Sequence, residues 1–287
     1  ALALFARRSV LSKRGVRIAT LDAPYTRDEF LSVLAKLKAA DPSRYPLDIN
    51  TIMTGEWLSY GFGPWLQSAG ADLIDRSGFA QAEGILNGPE AVAVARWYQR
   101  LFEQAYAPRR AVDDLAFPQG QADIHYTGSW VAIRYERKLG DDLVIMPPID
   151  FGQGPKIGSG SWQWGISRTC PHPEGAAAFI EFLLMPSQIA SMSEAAGFVP
   201  VSDASAALTT RYRPGGRWRI FYEFAKRFAV PRPQTPGYPK ISSAFEKAML
   251  DIRDGQAVRE ALDAAVDSIE YDIERNGGYG LHGEQRR

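Results

Sequence analysis

The run Gly158-Ser159-Gly160-Ser161-Trp162-Gln163-Trp164-Gly165-Ile166-Ser167 sets two indoles one residue apart among small and polar side chains. As a β-strand it would carry Trp162, Trp164 and Ile166 on one face and Ser161, Gln163 and Gly165 on the other. Such a wall has two uses: to fill a core, or to stack on a flat ligand. The residues leave both open. Catalytic patterns are poorer. Gly158-x-Gly160 lacks the third glycine of a dinucleotide loop, because position 163 is Gln, and glycine at 160 displaces the serine of a nucleophile elbow. His125, His172 and His282 fall in no metal-binding spacing, and no two carboxylates are paired by the sequence as glycoside hydrolysis would need. The chemistry implied is recognition, with no cofactor, no metal and no reaction.

The chain of 287 residues is long enough for a full core and two lobes, and its formal net charge of zero excludes a long-range field toward nucleic acid or an anionic membrane. The basic residues Arg211, Arg213, Arg217, Arg219, Lys226 and Arg227 read as the wet side of an amphipathic helix, so no nucleic-acid partner is expected. One cysteine, Cys170, forbids an intramolecular disulfide. No apolar run reaches the roughly 18 residues of a membrane span. In Ala1-Leu2-Ala3-Leu4-Phe5-Ala6-Arg7-Arg8 the charges follow the apolar stretch, the wrong order for a signal peptide.

In chain order, residues 1–5 read as a strand and the helix after it ends at Gly15. Thr26-Arg27-Asp28-Glu29 matches a capping box ahead of the stripe Phe30, Val33, Leu34 and Leu37. Trp57, Tyr60, Phe62 and Trp65 are spaced for one helical face, but Gly61, Gly63 and Pro64 argue against an unbroken helix. Helices are expected from Pro89 to near Tyr106, from Pro173 with Ala176, Phe179, Ile180 and Leu183 inside, and from Pro186 to Gly197. Ahead of the tryptophan run, residues 116–130 read as a glycine turn, an alternating strand, then a Gly128-Ser129-Trp130 corner entering a helix.

This order closely resembles the extracellular solute-binding proteins that feed sugars to ABC importers, the maltodextrin- and multiple-sugar-binding family. Its pattern "F-x-x-G-x-A-A-M-x-x-x-G-x-W" falls on residues 117–130, its glycine-and-tryptophan strand ending in "I-S" on 158–167, and its "G-x-x-P-V" exit on 197–201. Leu66-Gln67-Ser68-Ala69-Gly70 and Arg232-Pro233-Gln234-Thr235-Pro236-Gly237-Tyr238 also have counterparts there. The resemblance implies an α/β, periplasmic-binding-protein-like type II fold: two lobes around a cleft, with one lobe largely missing. Residues 1–157 and 205–287 would form the main lobe, and 158–204 would cross to the second. It also implies a sugar stacked on Trp130, with Trp162 as a second plane and Ser161, Gly160 and Ser129 as polar contacts. Trp57 is a third stacking candidate. The partners would be a sugar or related polar solute and the importer's membrane permease, at a periplasmic or extracellular location.

Members of the family carry a further amino-terminal stretch that supplies one cleft wall. The chain is therefore expected to be a fragment or to receive that wall from a separate chain, and residues 158–204 are expected to leave apolar surface for something to cover. The readings from other classes are a carbohydrate-active enzyme using the same aromatics, and a structural remnant that binds nothing. No Arg cluster near Trp130 or Trp162 points to a phosphate, which favours a neutral sugar.

Overall fold

The computed structural model describes residues 1–160 and 162–280. Ser161, one of the expected sugar contacts, and residues 281–287 with His282 lie outside the described residues.

In chain order the elements are β1 (Leu2–Arg7), α1 (Arg8–Lys13), α2 (Arg27–Ala40), β2 (Leu47–Asp48), α3 (Glu56–Ser68), α4 (Pro89–Glu103), α5 (Ala116–Gln119) and β3 (Ile124–Gly128). They continue with α6 (Ala132–Leu139), β4 (Leu143–Met146), β5 (Ile157–Gly158), α7 (Pro173–Leu183), α8 (Pro186–Ala196), α9 (Asp203–Ala207), α10 (Arg219–Phe228), β6 (Ala229–Val230), α11 (Tyr238–Asp254) and α12 (Val258–Arg275). Four strands form a sheet in the order β2-β3-β1-β4. β1 lies antiparallel to both β3 and β4, with Leu2 opposite Gly128 and Leu4 opposite Met146, while β2 runs parallel to β3. Leu2 to Ala6 are buried without alternation, as expected of a central strand covered on both faces. α11 and α12 pack against each other and close over α3 and α4.

The apolar stripes account for most of this packing. Phe30, Val33, Leu34 and Leu37 are the buried face of α2, and Ala91, Val94, Ala95, Tyr98, Leu101 and Phe102 are buried on α4. Thr26 does cap α2, accepting from the Glu29 amide at 3.2 Å. The capping box is only half made, because the Glu29 carboxylate accepts from Arg17 instead of reaching back.

Two local expectations are corrected. α3 is continuous through Gly61, Gly63 and Pro64. Burial of Trp57, Phe62 and Trp65 against the surrounding rings outweighs the propensity penalty. Pro64 cannot donate to the Tyr60 carbonyl, and that carbonyl faces Gly158, where a Cβ would stand only 2.7 Å away. The second correction is the tryptophan run, which is not a strand. Pairing with β6 ends where the Ser159 amide donates to the Val230 carbonyl at 2.8 Å, and residues 162–167 have no ladder partner. Alternation alone does not make a strand where no neighbour is present to share its hydrogen bonds.

The helix from Pro173 forms as expected, yet none of its residues is buried; Ala176, Phe179, Ile180 and Leu183 do not reach a core. α8 buries Ile189, Ala190 and Ser193, and Gly197 ends it in the left-handed region at φ 74°. No single described helix is long and apolar enough to cross a membrane; α7 and α8 reach that composition only together, across a 69° bend.

Candidate functional site

β3 delivers Trp130. The strand ends at Gly128, and the indole folds back over that glycine so closely that any Cβ there would collide with the ring. Trp130 remains 40% exposed just beyond the end of β3. Two aromatics from α3 support it: Trp57 meets it edge to face at 6.2 Å between ring centroids, and Tyr60 lies tilted against it at 6.2 Å. Trp57 is only 5% exposed, sits over Gly61, and its indole N–H has no partner among the described residues. It buttresses Trp130 from behind and offers no open face of its own.

A polar arrangement adjoins the aromatic platform. Glu56, the first residue of α3, accepts from Arg232 Nε, from the Tyr238 hydroxyl at 2.7 Å and from the Ser242 hydroxyl at 2.9 Å. The Arg232 guanidinium lies over the Tyr60 ring, 5.2 Å from its centroid, and donates through Nη1 to the Ser159 carbonyl at 2.8 Å. Partial burial works against the Arg232 charge, but the Glu56 carboxylate more than offsets it, and the guanidinium pKa is raised. Burial, reinforced by Glu56, pushes the Tyr238 hydroxyl well above the ordinary phenol range, so it stays a donor. Tyr60 is likewise raised by burial. Gly160, at φ 128°, has the open backbone that lets Arg232 lie against it.

The expected contacts thus divide. Trp130 and Trp57 come together, and Gly160 joins them through Arg232 and Tyr60. Trp162 is 88% exposed and has no aromatic neighbour among the described residues. Ser129 is buried, its hydroxyl accepts from the residue 1 nitrogen at 3.2 Å, and its amide donates to the residue 1 carbonyl at 2.8 Å. It fastens β1 to the Trp130 corner. Glu56, Tyr60, Arg232 and Tyr238 were not singled out as contacts from sequence; the only signal for the last two was the Arg232-to-Tyr238 motif. One arginine, Arg232, lies over the neighbouring Tyr60 ring with its charge answered by Glu56, which is not the cluster a phosphate would need.

Beneath the platform, His125 is fully buried and hydrogen-bonded, Nδ1 to the Tyr135 hydroxyl at 2.6 Å and Nε2 to Asn50 Oδ1 at 2.8 Å, with Asp48 3.7 Å away. Burial holds its pKa down at about 3 and pushes Asp48 up to about 6. This network ties β2, β3 and α6 together on either side of Trp130. A separate depression bounded by Glu83, Asp267, Glu270, Tyr271 and Glu274 shares no residue with the platform. No group of three or more His, Cys, Asp or Glu suited to a metal ion occurs among the described residues.

The structure is a mixed α/β fold with an aromatic platform at the end of an inner strand. The sequence matches the family described as bacterial extracellular solute-binding protein over residues 1–212, and the chain belongs to that family. Solved structures share its fold. The cyclic α-maltosyl-1,6-maltose binding protein from Arthrobacter globiformis superposes with a TM-score of 0.77 at 23% identity, covering 96% of this chain and 70% of that one. The sugar-binding protein MalE from Xanthomonas citri gives 0.78 at 16% identity over 100% of this chain and 71% of its own. An ABC transporter solute-binding protein from Thermotoga lettingae, bound with α-D-tagatose, gives 0.76 at 19% identity, over 94% and 69%. A search of curated proteins returns no match.

Proposed function

We propose that this chain binds a sugar or oligosaccharide as the solute-binding component of an ABC importer, outside the cytoplasmic membrane, and hands it to the membrane permease without chemical change. The observation that carries this reading is the half-exposed Trp130 face, backed by Trp57 and Tyr60 and flanked by the polar groups of Glu56, Arg232 and Tyr238. A sugar presents an apolar C–H face and a rim of hydroxyls, and needs a flat apolar surface next to fixed donors and acceptors. The sugars named for the Arthrobacter globiformis and Thermotoga lettingae proteins support the ligand class.

In this reading residues 1–157 and 205–287 form one lobe and 158–204 belong to a second. The lack of any buried residue on α7 supports the division. Trp162, with Ser161 and Gly160 beside it, would then meet the ligand from the far side when the lobes close. A second chain or further sequence would complete the opposing wall. Tryptophan fluorescence titrated with mono- and oligosaccharides tests the proposal. A saturable change in the wild-type chain, lost in Trp130→Ala, is expected; silence across the panel from folded protein would sink it. Unaltered sugar recovered after prolonged incubation is expected, and released products would move the chain to the enzymes.

A further inference from the structure

We propose that Glu56 and Arg232 set the charge of the solute that the platform accepts. Paired, they make its polar edge electrically neutral; separated, either one would recruit a solute of opposite sign. The sugar arm of this inference rests on the binding reading above, whereas the ionic arm stands on the pair itself.

Arg232 reaches the platform from the loop after β6, and Glu56 is its carboxylate partner among the described ion pairs. The pair is not sealed: the side chains are 33% and 45% exposed. At that exposure an ion pair contributes little to stability. Its position gives it a different consequence. The guanidinium spreads over Tyr60, whose ring touches Trp130, so its charge lies one ring away from the stacking face. Glu56 also gathers the Tyr238 and Ser242 hydroxyls, and Ser242 in turn meets Ser59 at 3.0 Å. The carboxylate is therefore held by several donors and is fixed where it cancels Arg232. Arg232 has three anchors of its own: Glu56, the Ser159 carbonyl and the Tyr60 face. Two of the three survive loss of the Glu56 charge, so the guanidinium would remain in place with its charge unanswered. A planar guanidinium beside an aromatic surface then suits a carboxylate or sulfate oxygen. Specificity of this kind is set by what is repelled or left unpaired as much as by what is attracted.

The test uses the full chain with Glu56→Gln, which keeps the side chain's shape; its amide oxygen can still accept from Tyr238 while its amide nitrogen donates to the Ser242 hydroxyl. Inorganic sulfate is titrated at constant ionic strength and followed by tryptophan fluorescence; D-glucuronate and D-glucose are then compared. We expect a saturable sulfate response in Glu56→Gln that is absent from the wild type and from the Glu56→Gln/Arg232→Gln double variant. The glucuronate-to-glucose preference should shift on the order of tenfold. A folded Glu56→Gln chain as silent to sulfate as the wild type overturns the proposal, whatever the sugars do. A sulfate response in a protein whose wild type binds no sugar upholds the charge pairing and overturns the sugar reading. Should Glu56→Gln fail to fold, Arg232→Gln decides through glucosamine against N-acetylglucosamine. A preference for the cationic sugar supports the inference, and equal response or none overturns it.

Discussion

α3 and the segment from Trp162 to Met192 are both rich in tryptophan and phenylalanine, and they meet opposite fates. On α3, Trp65 packs against Phe62 of the same helix and against Trp97, Tyr98, Tyr126 and Phe151 from three other parts of the chain. In the other segment Trp162, Trp164, Phe179, Phe182, Met185 and Met192 all face solvent. Residue type does not separate the two regions. What separates them is how many elements the rest of the chain folds around each. Apolar surface of the second kind is what a binding partner or an adjoining lobe covers.

The comparison can be broken most directly by alanine. Trp65→Ala should cost about 3–5 kcal/mol in urea unfolding, the range for removing a large buried aromatic. Trp162→Ala should stay within about 0.5 kcal/mol, as for a side chain with no packed neighbours. Equal costs would mean that the outlying segment is packed in solution.

The buried network behind the platform gives a pH signature. Burial lowers His125 from 6.5 to about 3, so between those values the unfolded chain holds a proton that the folded chain does not, and stability from this group rises with pH. Burial raises Asp48 from 3.8 to about 6, so across that window the folded chain holds the extra proton and stability falls as pH rises. The two nearly cancel where they overlap. Asp48→Asn should unmask the histidine, giving stability that climbs by about 1.4 kcal/mol per pH unit between about pH 4 and 6. A flat profile in the variant, measured by denaturant melts, would show that His125 is not held neutral.

Trp130→Ala sharpens the contrast from the exposed side. Its stability loss should be about 1 kcal/mol, because the ring is half open and its contacts are edge and tilted pairs, while the sugar response disappears. An effect on stability as small as that of Trp162→Ala, within about 0.5 kcal/mol, is expected from Phe179→Ser with Phe182→Ser on α7. Those changes should lower self-association in sedimentation velocity; unchanged association would place the sticky surface elsewhere.

The stripe of α2 was legible because a 3.6-residue period reports a buried face without reference to the partner, and Phe30, Val33, Leu34 and Leu37 are buried; the stripe of α7 marked a face that nothing described covers. The family, and with it the fold, was legible from the order of glycine, proline and tryptophan motifs. The tryptophan run misled because strand formation depends on a neighbour that spacing does not encode. α3 misled in the opposite sense, since its Gly61, Gly63 and Pro64 are tolerated for the packing they permit. Within the candidate site, Trp130 came from the family resemblance and is left exposed, whereas Trp57, expected as a stacking face, is buried behind it. Glu56, Tyr60 and Arg232 were not legible, because tertiary structure alone brings Arg232 to the first turns of α3.

Gly160 carries a consequence for how this site could change over generations. Any side chain at that position would meet the Arg232 guanidinium and strain a backbone held at φ 128°. One replacement there would dislodge the arginine from the Ser159 carbonyl and loosen its hold on Glu56, although neither charged residue had itself mutated. A lineage could in this way acquire a taste for acidic or amino solutes through a neutral residue, leaving the charged pair intact in the gene and the path of reversion a single step long.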